Sequence, residues 1–274
     1  MAIFILSSCR APQMFMAVPE KFKAEAEKMS IAGLGNGNGK KGIDFGNYNT
    51  SRISRGWNMT TSREDRNTNI SSEERVLRAF KIDRTSITNN QKDKFEFTIN
   101  DGKNTAEVFA LERKVSEETR ITTNNRWLSE LSDPKNFQYS FSAVILLHSI
   151  SQPSTWDLSL YSSFENKADK NRFDMTNTNG INEGGILTSE KDTIIIKSIN
   201  SQNLVSDKGE ARNLPFKMPS GYELTVDDNV IAVIDFWGKV IWMNSKLGED
   251  KKIAIAAASS AILLRRIHNK IALV

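Results

Sequence analysis

The sequence predicts a mainly-β protein: an antiparallel sandwich or jelly-roll-like domain with a few flanking helices and a disordered N-terminal arm. Three observations carry that expectation. Short apolar runs rich in Val, Ile and Phe recur through residues 70–246, separated by Gly, Pro, Asn and Asp turn signals. One pair, "KFEFTINDGKNTAEVFALERKV", alternates Phe95 and Phe97 with polar residues, turns at Asp101-Gly102 and returns through Val108 and Ala110. Helical periodicity is confined to short segments and the C-terminal stretch. Seven or more strands with few helices favour sheet packing of the sandwich or jelly-roll kind.

The chain opens with "MAIFILSSCRA", whose apolar run from Ile3 to Leu6 is shorter than the roughly 7–15 residues of a secretory signal and lacks a basic start. No run reaches the ~18 apolar residues that span a bilayer, so the chain is read as soluble and intracellular. The single cysteine, Cys9, offers neither a disulfide framework nor a thiolate metal site. Next comes "PEKFKAEAEKMS", read as a short polar helix. The glycine-rich "IAGLGNGNGKKGIDFG" from Ile31 to Gly46 follows it. A phosphate-binding loop needs a buried strand before it and a helix after it, and neither flank fits. Residues 1–69 are therefore expected to be a flexible basic arm, with too little apolar surface to offset the ordering entropy. Along it, Lys40, Lys41, Arg52, Arg55, Arg63 and Arg66 alternate with Tyr48 and Trp57. Cations spaced among aromatics suit phosphate neutralisation and base stacking on single-stranded RNA.

The ordered body is expected from Ser71, an N-cap with Glu74 three residues on and Val76, Leu77 and Phe80 on one helical face. After the hairpin, a helical candidate spans Arg126 to Leu131, stopped by Asp133-Pro134. "FQYSFSAVILLHSI" and "TWDLSLYSSF" are then two strands joined across Gln152-Pro153, the first read as buried on both faces. A long polar loop precedes "DTIIIKSI", "YELTV" and the pair "NVIAVIDF" and "KVIWMNS", which turns at Trp237-Gly238. Residues 247–274 form an expected C-terminal helix, apolar nearly all round, with Glu249 and Asp250 at its front and Arg265, Arg266 and Lys270 at its back. It is expected to pack on the sheet or on a partner subunit. Arg265 and Arg266 are the candidates for membrane-surface or oligomer contact.

Catalytic chemistry finds little support. His148 lies inside an apolar strand, where a hydrogen-bonded core residue is the expectation, and His268 sits beside the terminal arginines. No nucleophile elbow, HExxH helix or paired-cysteine motif occurs, and Asp227-Asp228 reads as a turn. No cofactor, metal or enzymatic activity is expected. The net charge of +4 suits a polyanionic or anionic partner.

"RNLPFKMPSGYELTVDD", Arg212 to Asp228, is similar to a segment of the 30K superfamily of plant-virus movement proteins. The strands "FSAVILLHSI" and "TWDLSLYSS" resemble the two apolar strands that come before it there. The likeness covers about a third of the chain, from Phe137 to Asp228. It implies a jelly-roll-like domain that binds single-stranded nucleic acid, associates with membranes or plasmodesmata in the host-cell cytoplasm and aids cell-to-cell passage of a viral genome. A self-assembling coat, nucleocapsid or matrix protein is the alternative. A homo-oligomer is expected in either case.

Overall fold

Alternation in the apolar runs decides which side chains face the interior, and the fold follows that pattern. The computed structural model describes residues 13–34, 41–56, 58–65, 82–123, 130–148, 153–165 and 183–266. The strands are β1 (Met14–Met16), β2 (Ala26–Ser30), β3 (Asp44–Phe45), β4 (Tyr48–Thr50), β5 (Ser54–Arg55), β6 (Met59–Asp65), β7 (Ile82–Asn100), β8 (Thr105–Thr123), β9 (Glu130–His148), β10 (Ser154–Glu165), β11 (Gly184–Thr188), β12 (Thr193–Ser206), β13 (Ala211–Val226), β14 (Asn229–Asp235) and β15 (Val240–Asn244). Two helices complete the described elements, α1 (Glu20–Lys23) and α2 (Glu249–Leu263).

From β7 to β15 every strand pairs antiparallel with the next, a simple meander. β2 adds to β15, while β4 and then β3 add to β7 at the opposite edge. The two edges then meet. Ala32 and Asp44 exchange both backbone hydrogen bonds, at 2.8 and 3.2 Å. The sheet is thereby wound into a nearly closed barrel, which leaves few unpaired strand edges.

The barrel is filled by α2. Every residue from Ile253 to Leu264 is buried. A helix that is apolar on all sides has no face for water and must be enclosed. Ala254, Ala256, Ala257, Ala258 and Ala261 keep it slim enough for the wall to close on it. Phe95, Phe97 and Ile99 of β7, Ala106 and Val108 of β8, and Phe141, Ala143 and Ile145 of β9 point inward to meet it within one apolar core. Outside the wall, Met16, Val18 and Phe22 form a small second cluster with Val233. Asp235 ties that N-terminal strap to the barrel, accepting N–H bonds from Met16 at 2.8 Å and from Trp237 and Gly238 at 2.9 Å.

The mainly-β, antiparallel class agrees with the sequence, as do the Asp101-Gly102 hairpin, the β9–β10 pair and the β14–β15 turn. Asp227 and Asp228, both at positive φ, make the tight β13–β14 turn. Other expectations need correction. Residues 41–56 and 58–65 are not an arm but carry the short strands β3 to β6, which build the wall and its border. Ile43, Phe45, Tyr48 and Ile53 are each buried, yet β3 to β5 are too short to show any alternation in sequence. The second half of the expected polar helix is strand β2, held to β15. Glu130 and Leu131 belong to β9 and not to a helix. Pro134 sits inside that strand where the register with β8 shifts, a place that tolerates a missing N–H. β9 is buried on one face, with Val144 40% exposed and His148 exposed beside Glu107, because only the inner face meets the helix. The expected C-terminal helix is enclosed in the barrel, not laid upon it, and runs over Glu249–Leu263. The capping box at Ser71 and residues 126–129 lie outside the described residues. Among the described residues no helix is long and apolar enough to cross a membrane.

Candidate functional site

The end of α2 carries a concentration of buried charge. Arg265, fully buried, donates from Nε to the Ile262 carbonyl at 3.0 Å and from Nη2 to the Tyr222 hydroxyl at 2.6 Å. Its Nη1 pairs with the Glu183 carboxylate, to which Tyr222 also donates. Tyr139 donates to Glu112 at 2.8 Å, and the other Glu112 oxygen accepts the Arg266 backbone N–H at 2.9 Å. Alongside, Arg55 bridges Asp93 at 3.0 Å and the Leu264 carbonyl at 2.7 Å. Two guanidinium groups thus reach the last carbonyls of a helix whose C-terminus carries the negative end of its dipole.

Burial acts on five of these side chains, Arg55, Asp93, Tyr139, Tyr222 and Arg265. It pushes the Asp93 carboxyl above its usual range, against the pull of Arg55, and it lowers Arg55 in turn. Burial raises both Tyr139 and Tyr222, keeping the phenols protonated as donors. It opposes the charge on Arg265 too, but Tyr139, Tyr222 and Glu183 more than reverse that, so Arg265 stays a cation. The arrangement is a lock on the helix end. No group of three or more His, Cys, Asp or Glu side chains among the described residues is placed to hold a metal ion.

The sequence-predicted site residues do not share one surface. Lys41 and Arg52 are exposed, and Arg63, also exposed, faces Asp65 at 3.3 Å. Arg55 is committed to the helix lock, and Tyr48 is buried against Phe45, with ring centroids 5.4 Å apart. Neither can take part in binding RNA, because the barrel wall has absorbed them. Arg265 is withdrawn from any membrane or subunit contact by the same burial, while Arg266 is half-buried. Lys40, Trp57 and Arg66 lie outside the described residues.

A different surface stands out on the outer face of β7 to β10. Phe109 and Leu111 of β8 and Val144 of β9 are 45%, 38% and 40% exposed, and Phe109 pairs directly with Val144. Leu146, half-buried, extends the group along β9. On one side lie Lys92 and Lys94 of β7 and Arg113 of β8, with Lys92 directly opposite Arg113. On the other side lie Glu96, Glu107 and Asp157. Glu107 meets His148 at 3.4 Å. The face therefore runs from a basic edge through an apolar middle to an acidic edge. Like charges placed directly across a strand pair cost stability, so the Lys92–Arg113 pairing is unfavourable for the isolated chain. Sequence reasoning missed this surface because "SAVILL" looks like an interior strand. The cue available was the alternation itself, which places Val144 and Leu146 opposite in phase to Ala143 and Ile145.

Compared with protein-family models, curated proteins and solved structures, the chain finds no match.

Proposed function

We propose that the protein is a non-catalytic structural protein that associates with copies of itself through the outer face of β7 to β10, in the manner of a coat, nucleocapsid or matrix subunit. The observation that carries this reading is the exposed group Phe109, Leu111 and Val144, set between a basic and an acidic edge. Soluble monomers rarely leave contiguous large apolar patches on their surface, and larger ones mark interaction sites. Charges of opposite sign on opposite edges make the face complementary to a rotated copy of itself. A wall braced on a buried helix presents that face without reorganisation, which lowers the cost of association.

Light scattering over a wide concentration range tests the reading. The wild-type mass should rise above the 30.8 kDa of one chain, and a Phe109→Ser, Val144→Ser variant should stay at that mass. A wild-type chain that is monomeric at every concentration removes the proposal.

A second reading, single-stranded RNA binding in the genome-movement role that the family resemblance implies, is favoured by the same basic edge. Lys92, Lys94 and Arg113 form a cationic group, with the 53% exposed Tyr161 two strands from Arg113 as a stacking platform. Titration of labelled RNA at several salt concentrations separates the two. On this reading Lys92→Ala with Arg113→Ala flattens the slope of log affinity against log salt by about 1.4, at roughly 0.7 for each phosphate no longer neutralised.

A further inference from the structure

We infer that the self-association proposed above, on which this inference rests, is a two-fold dimer in which β8 of one copy lies antiparallel across β8 of a second, pairing Arg113 with Glu107 of the second copy. Four consecutive outward residues at the centre of the face on β8 are, in order, Glu107, Phe109, Leu111 and Arg113: acid, aromatic, aliphatic, base. A two-fold axis lying in the interface, perpendicular to the strand and passing between Phe109 and Leu111, sets Phe109 on Leu111 of the second copy and Arg113 on Glu107 of the second copy. Each contact then occurs twice, as an isologous interface requires.

The neighbouring strands obey the same axis, because their register with β8 is fixed. Lys94 and Glu96 of β7 sit opposite Leu111 and Phe109, so Lys94 of one copy meets Glu96 of the second. Ser142 and Val144 of β9 sit opposite the same two residues on the other side, so the small Ser142 receives Val144 of the second copy and Ser140 receives Leu146. Bulk meets a gap and charge meets its opposite on three adjacent strands.

Three other axes fail on the same residues. An axis through the level of Leu111 sets Lys94 against Lys94 of the second copy. One through the level of Phe109 sets Glu96 against Glu96. An axis running along β8 itself sets Arg113 on Arg113 and Glu107 on Glu107. Like-charge contacts of this kind exclude those arrangements. The dimer axis also accounts for the Lys92–Arg113 pairing: Glu107 of the second copy, brought against Arg113, relieves a repulsion the single chain keeps.

Charge exchange tests the geometry, measured by sedimentation of the full chain with circular dichroism as the check on folding. Arg113→Glu and Glu107→Arg each weaken dimerisation by about tenfold or more, since each substitution acts twice and replaces attraction by repulsion. The double variant recovers wild-type dimerisation within a few-fold. An equimolar mixture of the two single variants forms a heterodimer at concentrations where each alone is monomeric. Dimers that survive both single substitutions, or single variants that neither the double change nor mixing rescues, overturn this axis while leaving self-association standing. A wild-type chain that never dimerises fails the underlying reading instead, and takes this inference with it.

Discussion

Substituting Arg265→Met leaves the Glu183 carboxylate, 3% exposed, without a guanidinium against it, and leaves the Ile262 carbonyl without its side-chain donor. Tyr222 still donates to Glu183, but a hydroxyl cannot balance a buried charge. Removing one partner of a buried ion pair costs about 3–5 kcal/mol, against roughly 5–15 kcal/mol of total stability for a typical domain. With a urea dependence near 3 kcal/mol per molar, the unfolding midpoint should fall by about 1–1.7 M. The companion variant carries Arg265→Met together with Glu183→Leu, which removes both charges. It should regain most of the loss, since a buried pair replaced by apolar side chains is often close to neutral. Urea unfolding followed by circular dichroism gives both numbers. A single variant within about 1 kcal/mol of wild type would show that the network does not lock the helix, and so would a double variant whose loss is the sum of the two single losses.

The Asp93 carboxyl is held above its ordinary value of 3.8, chiefly by burial, so the folded chain binds that proton more tightly than the unfolded chain does. Its contribution to stability is therefore fully present below about 3.8 and is lost as pH rises through the folded value. Compared with Asp93→Asn, the wild type should be relatively most stable in acid and lose that advantage on approaching neutrality. A difference growing with pH would refute this. Ile145→Asp, at a fully buried inward position, should abolish folding, whereas Val144→Ser on the opposite face should change stability by less than about 1 kcal/mol; similar outcomes at both would reject the one-sided burial of β9. Gly221→Ala should cost about 1–3 kcal/mol in urea unfolding, because a Cβ there would sit 1.8 Å from the Ile234 carbonyl oxygen and force β13 from β14; an unchanged midpoint would contradict that fit.

Strand class was legible wherever alternation ran long enough, as in β7 and β8, wherever an apolar run was continuous, as in β14, and wherever a turn carried its own chemistry, as at Asp101-Gly102. The closure of the sheet was not. β3 to β5 contribute one or two inward residues each, and Phe45 and Tyr48 become core only through partners that follow later in sequence. α2 was recognised as a helix from its composition, but its enclosure depends on a barrel that no local pattern specifies. Arg55 read as one more cation in a basic stretch. Its pairing with Asp93, 38 residues on, and with the Leu264 carbonyl, 209 residues on, is a tertiary fact. The outer face was hidden for the opposite reason. Val144 and Leu146 are apolar and alternate correctly, and sequence alone does not say whether a second layer covers them.

Hydroxyl-radical footprinting of the full chain in dilute and concentrated solution tests the central claim, that the outer face of β7 to β10 is covered by another copy. Phe109 and Leu111 should be oxidised readily when dilute and become protected as concentration rises. Phe15, on the strap at β12 and remote from β8, should react equally in both. Phe109 and Leu111 reacting at the same rate across the whole range, in solutions where the mass shows association, would place the interface elsewhere and contradict the account.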